Sequence, residues 1–166
     1  MSPAVNQHAT GDPFADAAVP SGRGFIALLE AFRATGGTAP GAIVGRLLEE
    51  RQAGAAVSLA KRIHTGLAFG FAWRGSLWIP MFQFDAKDLA LKTSAQRVRA
   101  ALPPLWSGWA VASWFAAPNA LLGGHRPADR LDLAPEAVLR AARALESGQA
   151  FQLPPAPPAH RVATHV

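Results

Sequence analysis

Phe69-Gly70-Phe71-Ala72-Trp73-Arg74-Gly75-Ser76-Leu77-Trp78-Ile79-Pro80-Met81-Phe82-Gln83-Phe84 is where the apolar period of the chain drops to two. Phe69, Phe71 and Trp73 alternate with Gly70 and Ala72, Arg74-Gly75 supplies a two-residue turn, and Trp78, Pro80, Phe82 and Phe84 alternate again. That pattern predicts a β-hairpin over residues 69–84. Pro80 has no N–H to give a ladder, so the second strand is expected at an edge. Gln83, between two phenylalanines, is expected to bond backbone at the hairpin edge. Elsewhere the pattern is helical, and the fold class expected is mainly α with one central β-hairpin and a small helical bundle as C-terminal domain.

On the N-terminal side, Phe25, Leu28, Leu29 and Phe32 recur at i, i+3, i+4 and i+7, the spacing of an amphipathic helix that Gly36-Gly37 stops. Pro40 opens a second helix with Ile43 and Leu47 on its apolar face, ending near Gly54. Val57 to Thr65 reads as a short third helix, with Ser58 as N-cap and Gly66 as stop.

On the C-terminal side, Thr93-Ser94-Ala95-Gln96 has the spacing of a capping box, and Pro103-Pro104 ends the helix it opens. Ser107 caps the next helix, which runs through Trp109 and Trp114 to Ala117. Pro127 starts a short helical turn. Pro135-Glu136 opens a last helix with Val138, Ala141, Ala142 and Leu145 on one face. Residues 1–20 and 149–166 are rich in Pro, Ala and small polar residues and are expected to be flexible tails.

Composition narrows the chemistry. Of 166 residues half are apolar, enough for a packed core, and none is cysteine, which excludes disulfides, thiolate nucleophiles and thiolate-bound metals. The longest apolar stretches fall well short of the roughly 20 residues that cross a bilayer. Met1 to Pro20 carries Asp12 and Asp16 and no Lys or Arg, unlike a secretory signal, so a cytoplasmic location without membrane contact is expected. The 16 Lys and Arg against 11 Asp and Glu leave a net charge of +5, a balance that suits acidic partners.

Trp114-Phe115-Ala116-Ala117-Pro118-Asn119-Ala120-Leu121-Leu122-Gly123-Gly124-His125-Arg126-Pro127-Ala128-Asp129-Arg130-Leu131 contains a tryptophan, then Pro-Asn, then Leu-x-Gly-x-x-Pro, then a leucine before a helix. This order is similar to the signature of the toxin-binding domain of the Xre/MbcA/ParS family of antitoxins. Upstream, Ile79-Pro80-Met81-Phe82-Gln83-Phe84-Asp85 resembles a Pro-x-Phe-Gln-Phe segment of the same family. The resemblance covers about residues 69–145 and places a hairpin and a toxin-binding-like helical unit over 68–148, after a helical region over 21–67. It implies an antitoxin that grips a cognate toxin protein, of the NAD-consuming RES type in many members, with no enzymatic activity and no cofactor of its own.

The resemblance assigns partner binding to Trp114, Pro118, Asn119, Leu122, Gly124, His125, Arg126, Pro127, Asp129 and Arg130. Read from the residues alone, Trp114, Leu122 and Leu131 serve packing first, and Asn119, His125, Arg126, Asp129 and Arg130 are the exposed neighbours left for contact. The Pro-rich end, from Phe151 onward, is a candidate for docking into the partner's cleft.

Family members commonly place a helix-turn-helix ahead of this domain. Here the helices from Pro40 and Val57, joined through Ala53-Gly54-Ala55, have compatible spacing, which makes Ser58, Lys61 and Arg62 candidate DNA-binding residues with the hairpin as a wing. Operator DNA and a second copy of the chain are thus further candidate partners. The alternative function is a DNA-binding regulator or partitioning-type adaptor with the same C-terminal domain.

The aromatic hairpin could also offer a base-stacking platform, but only Arg74 interleaves the rings, which favours core packing. His8, His64, His125, His160 and His165 are scattered without metal-ligand spacing, so no metal site is expected. Asp85 and Asp88 read as residues that end the strand and hold a loop.

Overall fold

The computed structural model describes residues 20–51 and 57–145. The expectations for the C-terminal tail and the Ala53-Gly54-Ala55 turn, and for the N-terminal tail up to residue 19, lie outside them. Among the described residues the chain is mainly helical with a small antiparallel sheet of three strands.

The hairpin forms as β2 (Phe71–Trp73) and β3 (Ser76–Pro80). Arg74 and Gly75 both take positive φ, +47° and +76°, as a primed turn requires, and the Arg74 guanidinium lies over the Trp73 ring at 5.5 Å. A third strand, β1 (Thr38–Pro40), adds to the other side of β3, so the order is β1-β3-β2. The expected edge strand is therefore the central one. Pro80 is tolerated because it is the last residue of β3, opposite Thr38, and the pairing resumes one residue later where the Met81 N–H donates to the Gly37 carbonyl at 2.9 Å.

Alternation along β2 and β3 sends side chains to two separate cores. On one face Phe71, Trp73 and Trp78 surround Phe25 of α1 (Gly22–Phe32), which stacks on Trp73 at 5.3 Å and meets Trp78 edge-on at 5.1 Å. Trp109 of α5 (Gly108–Ala116) completes this side by meeting Phe71 edge-on at 5.5 Å. On the other face Ile79 packs with Val44 and Leu48 of α2 (Gly41–Arg51) and Leu59 of α3 (Leu59–His64). The sheet is a middle layer between helices.

α2 is rotated by about one residue from the expected face. Val44 and Leu48 are buried, while Ile43 and Leu47 remain 42 % and 37 % exposed. The cause is Gly41: a Cβ there would lie 3.1 Å from Leu77, so the glycine lets the first turn sit against β3 and points the Gly41, Val44, Leu48 stripe inward. Leu28, Ala31 and Phe32 of α1 share the main core with Phe69, Trp109, Phe115 and Val138, so one core draws on both sides of residue 67.

After Pro80 the strand does not continue. Met81–Gln83 forms a 3₁₀ turn that drops Phe82 into the main core and Phe84 into the second one. The Gln83 side chain, 1 % exposed, accepts from the Phe69 N–H at 3.0 Å and donates to the Phe69 and Pro80 carbonyls at 2.8 and 2.9 Å. A buried carboxamide left unpaired would oppose folding, and here its oxygen and both N–H groups are used. Asp85 and Asp88 then form two Asx turns, accepting from Lys87 and Ala90 N–H groups at 2.8 and 2.9 Å.

The remaining helices are α4 (Thr93–Ala101), α6 (Pro127–Arg130) and α7 (Pro135–Arg143). The expected capping box does not form: Thr93 is already helical, and the Gln96 side chain donates instead to the Leu91 carbonyl at 3.2 Å. Ser107 does cap α5, accepting from Ala110 at 3.2 Å. Lys92 pairs with Asp132 at 2.7 Å and Arg97 with Glu136, which fastens α4 to the α6–α7 segment. Such exposed pairs orient more than they stabilise.

The tightest crossing is between Gly108, at the start of α5, and Gly70, just before β2. A Cβ on Gly108 would fall 1.7 Å from the Gly70 carbonyl oxygen. Gly108→Ala should therefore cost about 3 kcal/mol or more, read by urea unfolding, because backbone and not a flexible side chain must move. Gly45→Ala, whose Cβ would meet nothing within 4 Å, should instead stabilise α2 by about 0.5–1 kcal/mol. Equal effects of the two would refute this account of the crossing. Gln83→Leu should lose about 3 kcal/mol, since it strands the Phe69 N–H and two carbonyls away from water. Gln83→Glu should be less damaging in acid. Burial raises a carboxyl's folded pKa above its unfolded value near 4.3, so its stability is greatest below that pH and falls as pH rises, a trend opposite to that of a paired carboxylate.

Candidate protein-binding surface

α5 ends because Pro118 disfavours helical geometry at the residue before it, and Ala117 is accordingly extended, with ψ at 145°. Asn119 then organises the loop. Its side-chain oxygen accepts from the Leu121 N–H at 2.9 Å, and its carbonyl accepts from Leu122 and Gly124 at 3.0 and 2.9 Å. Its own N–H donates to the His125 carbonyl at 3.0 Å, closing the loop on itself. A 3₁₀ turn over Ala120–Leu122 fits inside, and Gly123 and Gly124, with φ of +64° and +82°, reverse the chain so that Pro127 can start α6.

The motif residues sort into two groups. Trp114, Leu122 and Pro127 are buried, and Trp114, Leu122 and Leu131 belong to the main core, so they hold the loop from beneath. Trp114 stands edge-on to Phe115 at 5.0 Å, and its indole N–H is buried without a hydrogen-bond partner among the described residues. Pro118, Gly124 and His125 are exposed, while Asn119, Arg126, Asp129 and Arg130 are half-buried. Leu121, which the sequence reading passed over, is 60 % exposed at the tip of the loop. The signal was present in the Leu121-Leu122 pair: in so tight a turn two adjacent leucines cannot both face the core.

α6, which follows the loop, forms part of the wall of a cleft of about 480 Å³. Met81, Phe82 and Asp85 line it from the segment after β3, Ala128, Asp129, Leu131 and Asp132 line it from α6 onward, and Thr35 and Gly36 close it at the end of α1. The two segments that carry the family resemblance, more than forty residues apart in sequence, thus share one wall system. The lining is apolar at Met81, Phe82 and Leu131 and acidic at Asp85, Asp129 and Asp132, with Lys92 bound to the last of these.

The candidate DNA-binding residues have local employment. Ser58 caps α3 by accepting from the Lys61 N–H at 3.3 Å, and the Arg62 Nε donates to the Val57 carbonyl at 2.9 Å. Lys61 is exposed. α3 spans six residues, with Leu59 buried and Ile63 half-buried against the sheet. In the hairpin segment Phe69, Phe71, Phe82 and Phe84 are buried and Trp73 and Trp78 are half-buried in packing, while Ala72, Ser76 and Leu77 near the turn are exposed, so the rings serve the core first. Among the described residues no group of three or more His, Asp or Glu could hold a metal, and no helix is long and apolar enough to cross a membrane.

Comparison with protein-family models, with curated proteins and with solved structures returned no match. Function is therefore argued from the quoted residues and their geometry.

Asn119→Ala should cost about 1 kcal/mol in thermal unfolding by removing the acceptor for Leu121, with helical content unchanged. Asn119→Asp keeps that acceptor and should be close to neutral; an equal loss in both variants would show that the side-chain oxygen does not hold the loop.

Proposed function

We propose that this chain is an antitoxin of a two-protein toxin–antitoxin pair, which neutralises its partner by stoichiometric binding and performs no chemistry itself. The supporting observation is the convergence of residues 81–85 and 128–132 on one cleft, the latter leading directly on from a loop braced by Asn119. In this reading Leu121 is the apolar anchor and His125, Arg126 and Arg130 form the polar surround, while Trp114, Leu122 and Pro127 keep the loop in its bound shape. A loop already closed by its own hydrogen bonds loses little conformational entropy on docking, so more of the contact energy appears as affinity. The partner suggested by the resemblance is an NAD-consuming toxin of the RES type, met in the cytoplasm. The second reading, a DNA-binding regulator or partitioning-type adaptor, draws on the excess of cationic side chains.

Co-expression with the product of the adjacent gene tests the proposal, scored by growth rescue and co-purification. The wild-type chain should rescue and be retained. The Leu121→Asp, Arg126→Ala double variant should lose retention by about 100-fold with its melting temperature unchanged, as expected on losing the apolar anchor and a neighbouring arginine. No rescue and no retention by the folded wild type overturns the antitoxin reading; full rescue by the double variant overturns the surface.

A further inference from the structure

α7 carries Glu136, Arg140 and Arg143 at i, i+4 and i+7, one stripe of the helix, while Val138, Leu139, Ala141 and Ala142 are buried. Arg97, reaching across from α4, donates to both carboxylate oxygens of Glu136. Arg97, Glu136, Arg140 and Arg143 are all exposed. The side chains of Arg140 and Arg143 form no hydrogen bond or ion pair among the described residues. The Glu136 carboxyl is held below its ordinary range, first by the hydrogen bond from Arg97 and further by the fields of Arg97, Arg143 and Arg140. Arg97 thus holds the carboxylate while Arg140 and Arg143 continue the same stripe of α7, which leaves the face cationic.

The chemistry of the surroundings selects the partner. Among the described residues, the large apolar side chains left exposed are Ile26, Ile43, Leu47, Val57, Leu67, Leu77, Leu105, Leu121 and Leu133, and none lies on α4 or α7. A protein interface needs an apolar or aromatic anchor at its centre; Leu133 is exposed just ahead of α7, but the stretch of α7 that carries the arginines, and α4 opposite it, offer none. It has instead a row of guanidinium groups over seven residues of helix, about 10 Å, the axial span of roughly three phosphates on one strand of duplex DNA. α3, the element first considered for DNA, has Ser58 and Arg62 bonded to nearby backbone.

We propose that the paired α4–α7 face binds double-stranded nucleic acid through its phosphodiester backbone, without reading sequence. Arg140 and Arg143 are the contacts, each able to present two N–H groups to a phosphate. Arg97 joins them when it exchanges Glu136 for phosphate, so Glu136 restrains affinity. The proposal is independent of toxin binding, which uses the loop at Leu121. The two arginines also complement the C-terminal end of the helix dipole, a role that would leave binding untouched.

The test is fluorescence anisotropy of the full chain with a labelled duplex of arbitrary sequence at about 50 mM and about 200 mM salt. The wild type should bind with a log–log salt slope of about −2 to −3, near −0.9 for each phosphate contacted. Arg140→Gln with Arg143→Gln should weaken binding at the lower salt by about tenfold or more and flatten the slope by about 2. Glu136→Gln should tighten it by about threefold or more, a gain that misfolding cannot produce. Lys61→Ala with Arg62→Ala should leave it within about twofold. The proposal is overturned if the duplex does not bind at the lower salt, if the double arginine variant binds like the wild type with an unchanged melting temperature, or if Glu136→Gln weakens binding. Binding of an acidic protein without binding of duplex would also overturn it.

Discussion

The carboxamide of Gln83 joins the backbone that enters the hairpin to the turn that leaves it, and much of the fold depends on that junction. It gives Phe69 the donor and acceptor that a neighbouring strand would otherwise supply. Because the same group also reaches Pro80, the chain must turn where the proline ends β3. Phe82 is thereby committed to one side of the sheet and Phe84 to the other. A low-dielectric setting strengthens each of these hydrogen bonds and penalises any arrangement that omits one, so a single polar side chain fixes the register of two apolar cores.

How much of this was legible in the sequence depended on how local the cause was. The hairpin followed from strict alternation and from a turn that needs positive φ, and Gly66, Ser107, Pro127 and Pro135 marked helix ends through their own backbone chemistry. β1 was not legible, because three residues carry no periodic signal and their pairing is with a strand about forty residues away. The rotation of α2 depends on contact between Gly41 and Leu77, which no helical period encodes. Thr93 and Gln96 had the spacing of a cap but not the backbone geometry, since the helix had already begun at Thr93.

The candidate binding surface divides in the same way. The closed loop was readable from Pro118-Asn119 and the paired glycines, whose constraints act within a few residues. The cleft was not, because three segments distant in sequence build it. Nor was the pairing of Arg97 with Glu136, which needs α4 and α7 side by side. The molecule therefore carries both an acidic, partly apolar cleft and a cationic helix pair, and a modest net charge conceals both.

The meeting of Gly70 and Gly108 bears on how such a protein can diverge. Backbone touches backbone there: a side chain on Gly108 would part the helix from the sheet, and one on Gly70 would run into Ile79 and the Trp78 carbonyl of β3. Leu121 and His125, at the far end of the segment that α5 carries, meet no such restriction. Drift is thus confined at the root and permitted at the tip. If the loop is the proposed recognition surface, a lineage built on this scaffold could change its partner through the loop alone while its interior stays the same.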